Sequence, residues 1–174
     1  MKTIIAICVM ALFWGSAIAE DKKPEIRIRD LERRIHDQVN DARKANGQVH
    51  LQLDEKLSAV ARAHSEDMAK AGYFDHKDPA GRSVRQRVEL AGIACNVVGE
   101  NLFQNNLYTR VLIENGHKTY DWSTTDQIAS TTVKGWMNSP GHRQNIVSKD
   151  YRRGGMGAAV AKDDKVYVTQ VFCD

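Results

Sequence analysis

The sequence predicts an α+β fold, with helices packed on both sides of a small, mostly antiparallel sheet. Two observations carry this. Four stretches repeat apolar residues at three- and four-residue steps, the period of a helix buried on one face. The C-terminal stretch instead alternates around a polar turn, the period of paired strands. Layering the helices on the sheet would bury both kinds of apolar face.

Residues 25–45 read as the first helix, with Ile28, Leu31, Ile35, Val39 and Ala42 on one stripe. Asn46-Gly47 ends it, because both residues tolerate the left-handed conformation. Leu51 and Leu53 anchor a short extended link. Asp54 is placed to cap the second helix, which carries Leu57, Val60, Ala61, His64, Met68 and Ala71 on one face as far as Gly72. A shorter helix starts near Ser83, carries Val84, Val88 and Ala91, and stops at Gly92. Residues 93–98 are β-branched enough for a strand that runs into Gly99-Glu100-Asn101-Leu102. Residues 126–137 form the fourth helix, with Ile128, Ala129, Val133 and Trp136-Met137 inward, and Ser139-Pro140 restarts the chain. The tail is a hairpin: residues 155–161, a polar turn over 162–165, then 166–173. In its second strand Val166, Val168 and Gln170 alternate with Tyr167, Thr169 and Val171, as in a half-buried strand. Residues 103–125 show no clear period and read as an insertion or long loop.

Residues 1–19 read as a secretory signal peptide: Lys2, an apolar run over 4–14, then Ala17-Ile18-Ala19 before the cleavage point. That run is shorter than the roughly 20 apolar residues of a spanning helix. No later stretch approaches that length, so no stable membrane span is expected after cleavage. The expected destination is secreted or periplasmic. Residues 20–174 then make one domain, expected to be a monomer. The net charge of +3 falls to +2 without Lys2. So mild a charge, with no concentrated basic face, argues against a nucleic-acid binder. Arg27, Arg29, Arg33 and Arg34 interleave with Glu25, Asp30 and Glu32, as on a solvated helix face with pairs at helical spacing. Cys8 leaves with the signal. Cys95 and Cys173 remain in an oxidising destination and are expected to pair. Closing so long a loop stabilises the fold by about 4 kcal/mol in the chain-entropy account.

Three motifs stand in order along the chain. They are Ala63-His64-Ser65-Glu66-Asp67-Met68-Ala69 with Gly72-Tyr73-Phe74-Asp75-His76, then Gly99-Glu100-Asn101-Leu102, then the stretch from Trp136 to Ile146. Together they resemble the bacterial branch of the CAP superfamily, whose domain is also called SCP. That family is named for cysteine-rich secretory, antigen 5 and pathogenesis-related 1 proteins. The resemblance runs from about Leu31 to the C-terminus. It implies a three-layer α-β-α sandwich around a central cleft, and it sets residues 103–125 at the cleft rim. It also implies a cleft of two histidines and usually two glutamates. The matching positions here are His76, Glu100 and His142, with Asn101 beside Glu100. The second glutamate position, three residues after Trp136, holds Ser139.

Two neutral imidazoles suit zinc or another divalent metal, so His76 and His142 are candidate ligands. Glu100 can complete the shell, orient an imidazole, or act as general base toward a metal-bound water. Simpler roles stand beside these. Glu100 and Asn101 can satisfy buried backbone donors. The two histidines can hydrogen-bond to each other or to Glu100 without a metal. His64, on an apolar stripe, reads as a satisfied core histidine. Ser139 reads as a helix cap before Pro140 rather than a nucleophile, and no Gly-x-Ser-x-Gly elbow supports the latter. Arg143 and Asn145 are expected to hold the loop after Gly141 through nearby backbone. His36, His50 and His117 have no local context that assigns a role.

The favoured reading is a binding module for an extracellular ligand (a peptide, a glycan or something lipid-like), with no required cofactor and an optional divalent metal. The alternatives are a metal-dependent hydrolase using His76, His142 and Glu100, and a structural or interaction protein with a vestigial cleft.

Overall fold

In the computed structural model, residues 22–174 are described, so the expected signal over 1–19 and Cys8 lies outside them. Along these residues the elements run α1 (Ile28–Ala45), β1 (Gln52–Leu53), α2 (Glu55–Ala71), α3 (Val84–Leu90) and β2 (Val98–Asn106). They continue with β3 (Tyr108–Glu114), β4 (His117–Trp122), α4 (Thr125–Asn138), α5 (Pro140–Val147), β5 (Arg153–Val160) and β6 (Lys165–Cys173). Local chemistry sets the helix ends. The Asp54 side chain accepts from Lys56 N and Leu57 N, and Gly72 closes α2 at φ 71°. Ser83 with Gln86 and Thr124 with Gln127 form reciprocal capping boxes on α3 and α4. α1 begins at Ile28, later than the expected residue 25, because Arg27 is still extended.

The main sheet has the order β1-β5-β6-β2. Only the short β1–β5 pair is parallel; β5–β6 and β6–β2 are antiparallel. Side chains alternate between two helical layers. Met156, Ala158, Val166, Val168 and Phe172 meet Leu31, Ile35, Ile128 and Trp136 on the α1–α4 side. On the other side α2 lies against β5 and β6. It approaches so closely that a Cβ on Gly155 would meet the Leu57 carbonyl carbon at 2.2 Å, and one on Gly157 the Arg62 nitrogen at 2.0 Å. This is the α-β-α sandwich expected. β6 is not half-buried, however: residues 166–173 are all buried, because helices cover both faces.

Two stretches differ from expectation. Residues 93–97 are irregular and β2 starts only at Val98. There, side-chain and disulfide links take the place of a strand ladder. Asp174 accepts from Asn96 N and Nδ2, both at 2.8 Å. Cys95 is bonded to Cys173 with the Cα atoms 5.6 Å apart. Within 103–125, β2 continues to Asn106 and a separate two-stranded hairpin follows, β3 with β4. Its turn is Asn115-Gly116, at φ 50° and 79°, the pairing that primed hairpin turns favour. Tyr108, Tyr120 and Trp122 group their rings, Tyr120 and Trp122 stacking at 4.8 Å. The hairpin leaves β2 six residues beyond Glu100, about 20 Å along the strand. There Leu107 N donates to Asp164 O in the β5–β6 turn. It therefore stands at the end of the sheet remote from Glu100, not at the rim beside it.

Two charged residues of α1 are buried. Glu32 belongs to the tract read as solvated, yet it accepts from Arg62 Nε and Nη2 and from Ala158 N. Arg43 donates to the carbonyls of Val49, Ile146, Ser148 and Tyr151, fastening α1 to the chain that leaves α5.

Candidate functional site

Glu100 stands on β2 opposite Val171, on the α2–α3 side of the sheet. Its side chain is only 2 % exposed, so its carboxylate requires partners. Oε1 accepts from His76 Nδ1 at 2.8 Å, and Oε2 accepts from Arg87 Nη2 at 2.5 Å. The same guanidinium donates through Nη1 to the carbonyls of His76 and Arg82, both at 2.9 Å. Arg87 thus ties the loop that carries His76 to the strand that carries Glu100. Side chains, not the backbone donors considered from the sequence, satisfy this carboxylate. The α3 capping box and the buried anchor Val88 place Arg87, which sits one residue before that anchor.

His76 lies between α2 and α3, past the turn at Gly72, and its side chain is 59 % exposed. The hydrogen bond to Glu100 raises its pKa above the ordinary 6.5, outweighing the desolvation that opposes it. His142 is the third residue of α5. Burial lowers its pKa, and the nearby His76 charge lowers it further.

Asn101, next to Glu100, faces the other way and holds α5. Its Nδ2 donates to His142 O at 3.0 Å, and its Oδ1 accepts from Asn145 Nδ2 at 2.9 Å. Asn145 also donates to Glu100 O at 3.2 Å, so it covers a carbonyl on the edge of β2. Arg143 reaches Asn46 Oδ1 at 2.9 Å. Both residues join distant segments instead of the loop after Gly141. Ser139 takes the cap position of α5 with extended backbone, but its hydroxyl makes no capping bond. Pro140, with its preset φ, begins this helix. His64 is a core histidine: Nε2 bonds Asp75 O at 2.9 Å, and burial lowers its pKa. It helps line a hollow of about 180 Å³ with Asp67, Asp78, Arg82 and Arg87.

The model of the cysteine-rich secretory protein family, CAP, matches residues 36–172. The chain belongs to the CAP family. The uncharacterized protein YkwD of Bacillus subtilis is 35 % identical over 126 residues, 72 % of this chain and 41 % of that protein. The chain spans about two fifths of the curated relatives it matches. An extracellular SCP-domain protein of Bacillus anthracis superposes with a TM-score of 0.63 at 23 % identity, over 87 % of this chain and 45 % of that one. An outer surface protein of Borrelia burgdorferi superposes with a TM-score of 0.67 at 18 % identity, over 88 % and 98 %. At such identities the two structures speak for the shared fold. Among the described residues no helix is long and apolar enough to cross a membrane.

The chain bonds His76 to Glu100 directly, holds the His142 carbonyl through Asn101 beside Glu100, and carries Ser139 where a second CAP carboxylate is expected. An open metal centre normally takes three protein ligands. The donor set here does not fit one, because both Glu100 oxygens are engaged and one of them by a guanidinium. Among the described residues, the group whose ligand atoms all lie within 4.8 Å is Cys95, Cys173 and Asp174, and its sulfurs are joined in the disulfide. Paired with Arg87, Glu100 is also poorly placed as a general base. Arg87 is the functional residue that sequence reading missed. Its signal was indirect: a buried acid needs a cation, and Arg87 adjoins the apolar stripe of α3.

Proposed function

We propose that this CAP domain is an extracellular binding module whose His76 and His142 meet an external ligand between the α2–α3 loop and α5. The observation that carries the reading is how His76 is held. Its Nδ1 is fixed on buried Glu100 while more than half of its side chain faces solvent. A ring anchored through one nitrogen offers the other in a set direction. The ligand class is a peptide, a glycan or a lipid-like molecule with a hydrogen-bonding group for that nitrogen. An extracellular setting is supported by the likeness to an extracellular protein of Bacillus anthracis and an outer surface protein of Borrelia burgdorferi, and by the signal expected over residues 1–19.

Amide chemical-shift mapping with panels of short peptides, oligosaccharides and fatty acids tests this. Shifts are expected around His76, Asn101 and His142, and binding should be lost in the His76→Ala/His142→Ala variant. Unchanged affinity in that variant, or shifts centred on the 108–122 hairpin, would sink the idea.

A further inference from the structure

We infer that the Arg87 guanidinium stands in for a divalent cation in this cleft, serving as the built-in counter-ion of Glu100 and keeping metal out. The inference concerns the same cleft as the binding-module reading and rests on that reading for His76 facing the ligand space.

Among the described residues, Glu100 is the carboxylate bonded to the exposed His76, and a buried carboxylate holds its charge only beside a cation or several donors. Arg87 supplies the cation. Its side chain is itself 9 % exposed, and its Nη atoms are spent on Glu100 and on the carbonyls of His76 and Arg82. Swinging aside would break all three bonds. Its Nε is buried without a hydrogen-bond partner, so the guanidinium is positioned for the Nη contacts. Glu100 and Arg87 sum to zero charge, and Ser139 adds none. A divalent ion on Glu100 would then bring two positive charges beside a fixed guanidinium whose own charge Glu100 already balances. Without Arg87, Glu100 would offer a free oxygen beside the exposed His76 imidazole, two donors of the kinds that zinc accepts.

Zinc titration by calorimetry, with melting temperature as a second readout, tests this on wild type, Arg87→Gln, Arg87→Lys and Arg87→Gln/His76→Ala. Arg87→Gln is expected to bind one zinc about 10–100-fold more tightly than wild type, the range seen when a contact supporting a metal ligand is changed. That gain should vanish in the double variant and be absent in Arg87→Lys, which keeps the cation. Zinc should raise the melting temperature of Arg87→Gln and not that of wild type. If Arg87→Gln unfolds unaided, zinc is expected to restore its fold. His76-dependent zinc binding in wild type as tight as in Arg87→Gln overturns the inference, as does an Arg87→Gln protein that zinc neither binds nor rescues. A zinc-binding wild type would leave the ligand screen undecided, and a failed ligand screen would leave the zinc result intact.

Discussion

Glu100 and Asn101 are neighbours on β2 that point to opposite faces, and each secures one histidine of the cleft. On the Glu100 face the network is charged: an imidazole, a carboxylate and a guanidinium. It grips the His76 side chain. On the Asn101 face the network is neutral: two amides and backbone carbonyls. It grips the His142 backbone and leaves that ring to its surroundings. One strand thereby steadies two histidines whose pKa values move in opposite directions. The ring bond to Glu100 favours the charged form of His76, while burial and the His76 charge favour the neutral form of His142.

The largest expected effect falls on the charged face. Glu100→Gln keeps the shape but leaves Arg87 buried without its anion, which should cost about 3–5 kcal/mol in chemical denaturation. A loss under about 1 kcal/mol would mean that the pair is solvated, and the two faces would not differ in kind. Asn101→Ala removes the bond to His142 O and one of the two acceptors of Asn145 Nδ2, which keeps Glu100 O, for an expected loss of about 2–3 kcal/mol. Salt should matter less for this loss than for that of Glu100→Gln, a contrast that denaturation at two ionic strengths would expose. Asn145→Ala leaves the Asn101–His142 bond in place and should cost only about 1–2 kcal/mol. If it matches Asn101→Ala, α5 hangs from Asn145 instead.

The smallest effect is on pH dependence, and its sign separates the two histidines. The folded pKa of His76 is raised. Its contribution is complete below the unfolded value of about 6.5 and is lost as pH rises through the folded value. The folded pKa of His142 is lowered. As pH falls below about 6.5 the unfolded chain takes a proton that the fold resists, so His142 opposes folding progressively until its own folded value is passed. NMR titration of both rings should show His76 above His142, and Glu100→Gln should bring down His76 without bringing down His142. Coincident titrations would dissolve the distinction.

Much of this was legible in the residues. The stripes of α1, α2 and α4, the stop at Gly72 and the cap at Asp54 depend on neighbours within a turn or two, where period and side-chain chemistry act directly. The β3–β4 hairpin escaped because β4 alternates aromatic Tyr120 and Trp122 around charged Asp121, and because Leu112 and Ile113 of β3 stay exposed. Asn115-Gly116 was its one clear cue. β6 read as half-buried because Thr169 and Gln170 look like solvent-facing residues, yet helices on both sides enclose them.

The sequence by itself determined the helix periods and the pairing of Cys95 with Cys173, and three motifs marked His76, Glu100 and His142 through their resemblance to the CAP family. Those follow from local spacing, from a count of two cysteines and from motif order. Only the tertiary structure decided that Arg87 closes the Glu100 carboxylate, that Asn145 closes the Asn101 amide, and that the hairpin stands away from the cleft. The physical reason is that a buried polar group must be satisfied by whatever donor packing brings within about 3 Å. Nothing in the spacing along one helix or strand states which residue of another element arrives there.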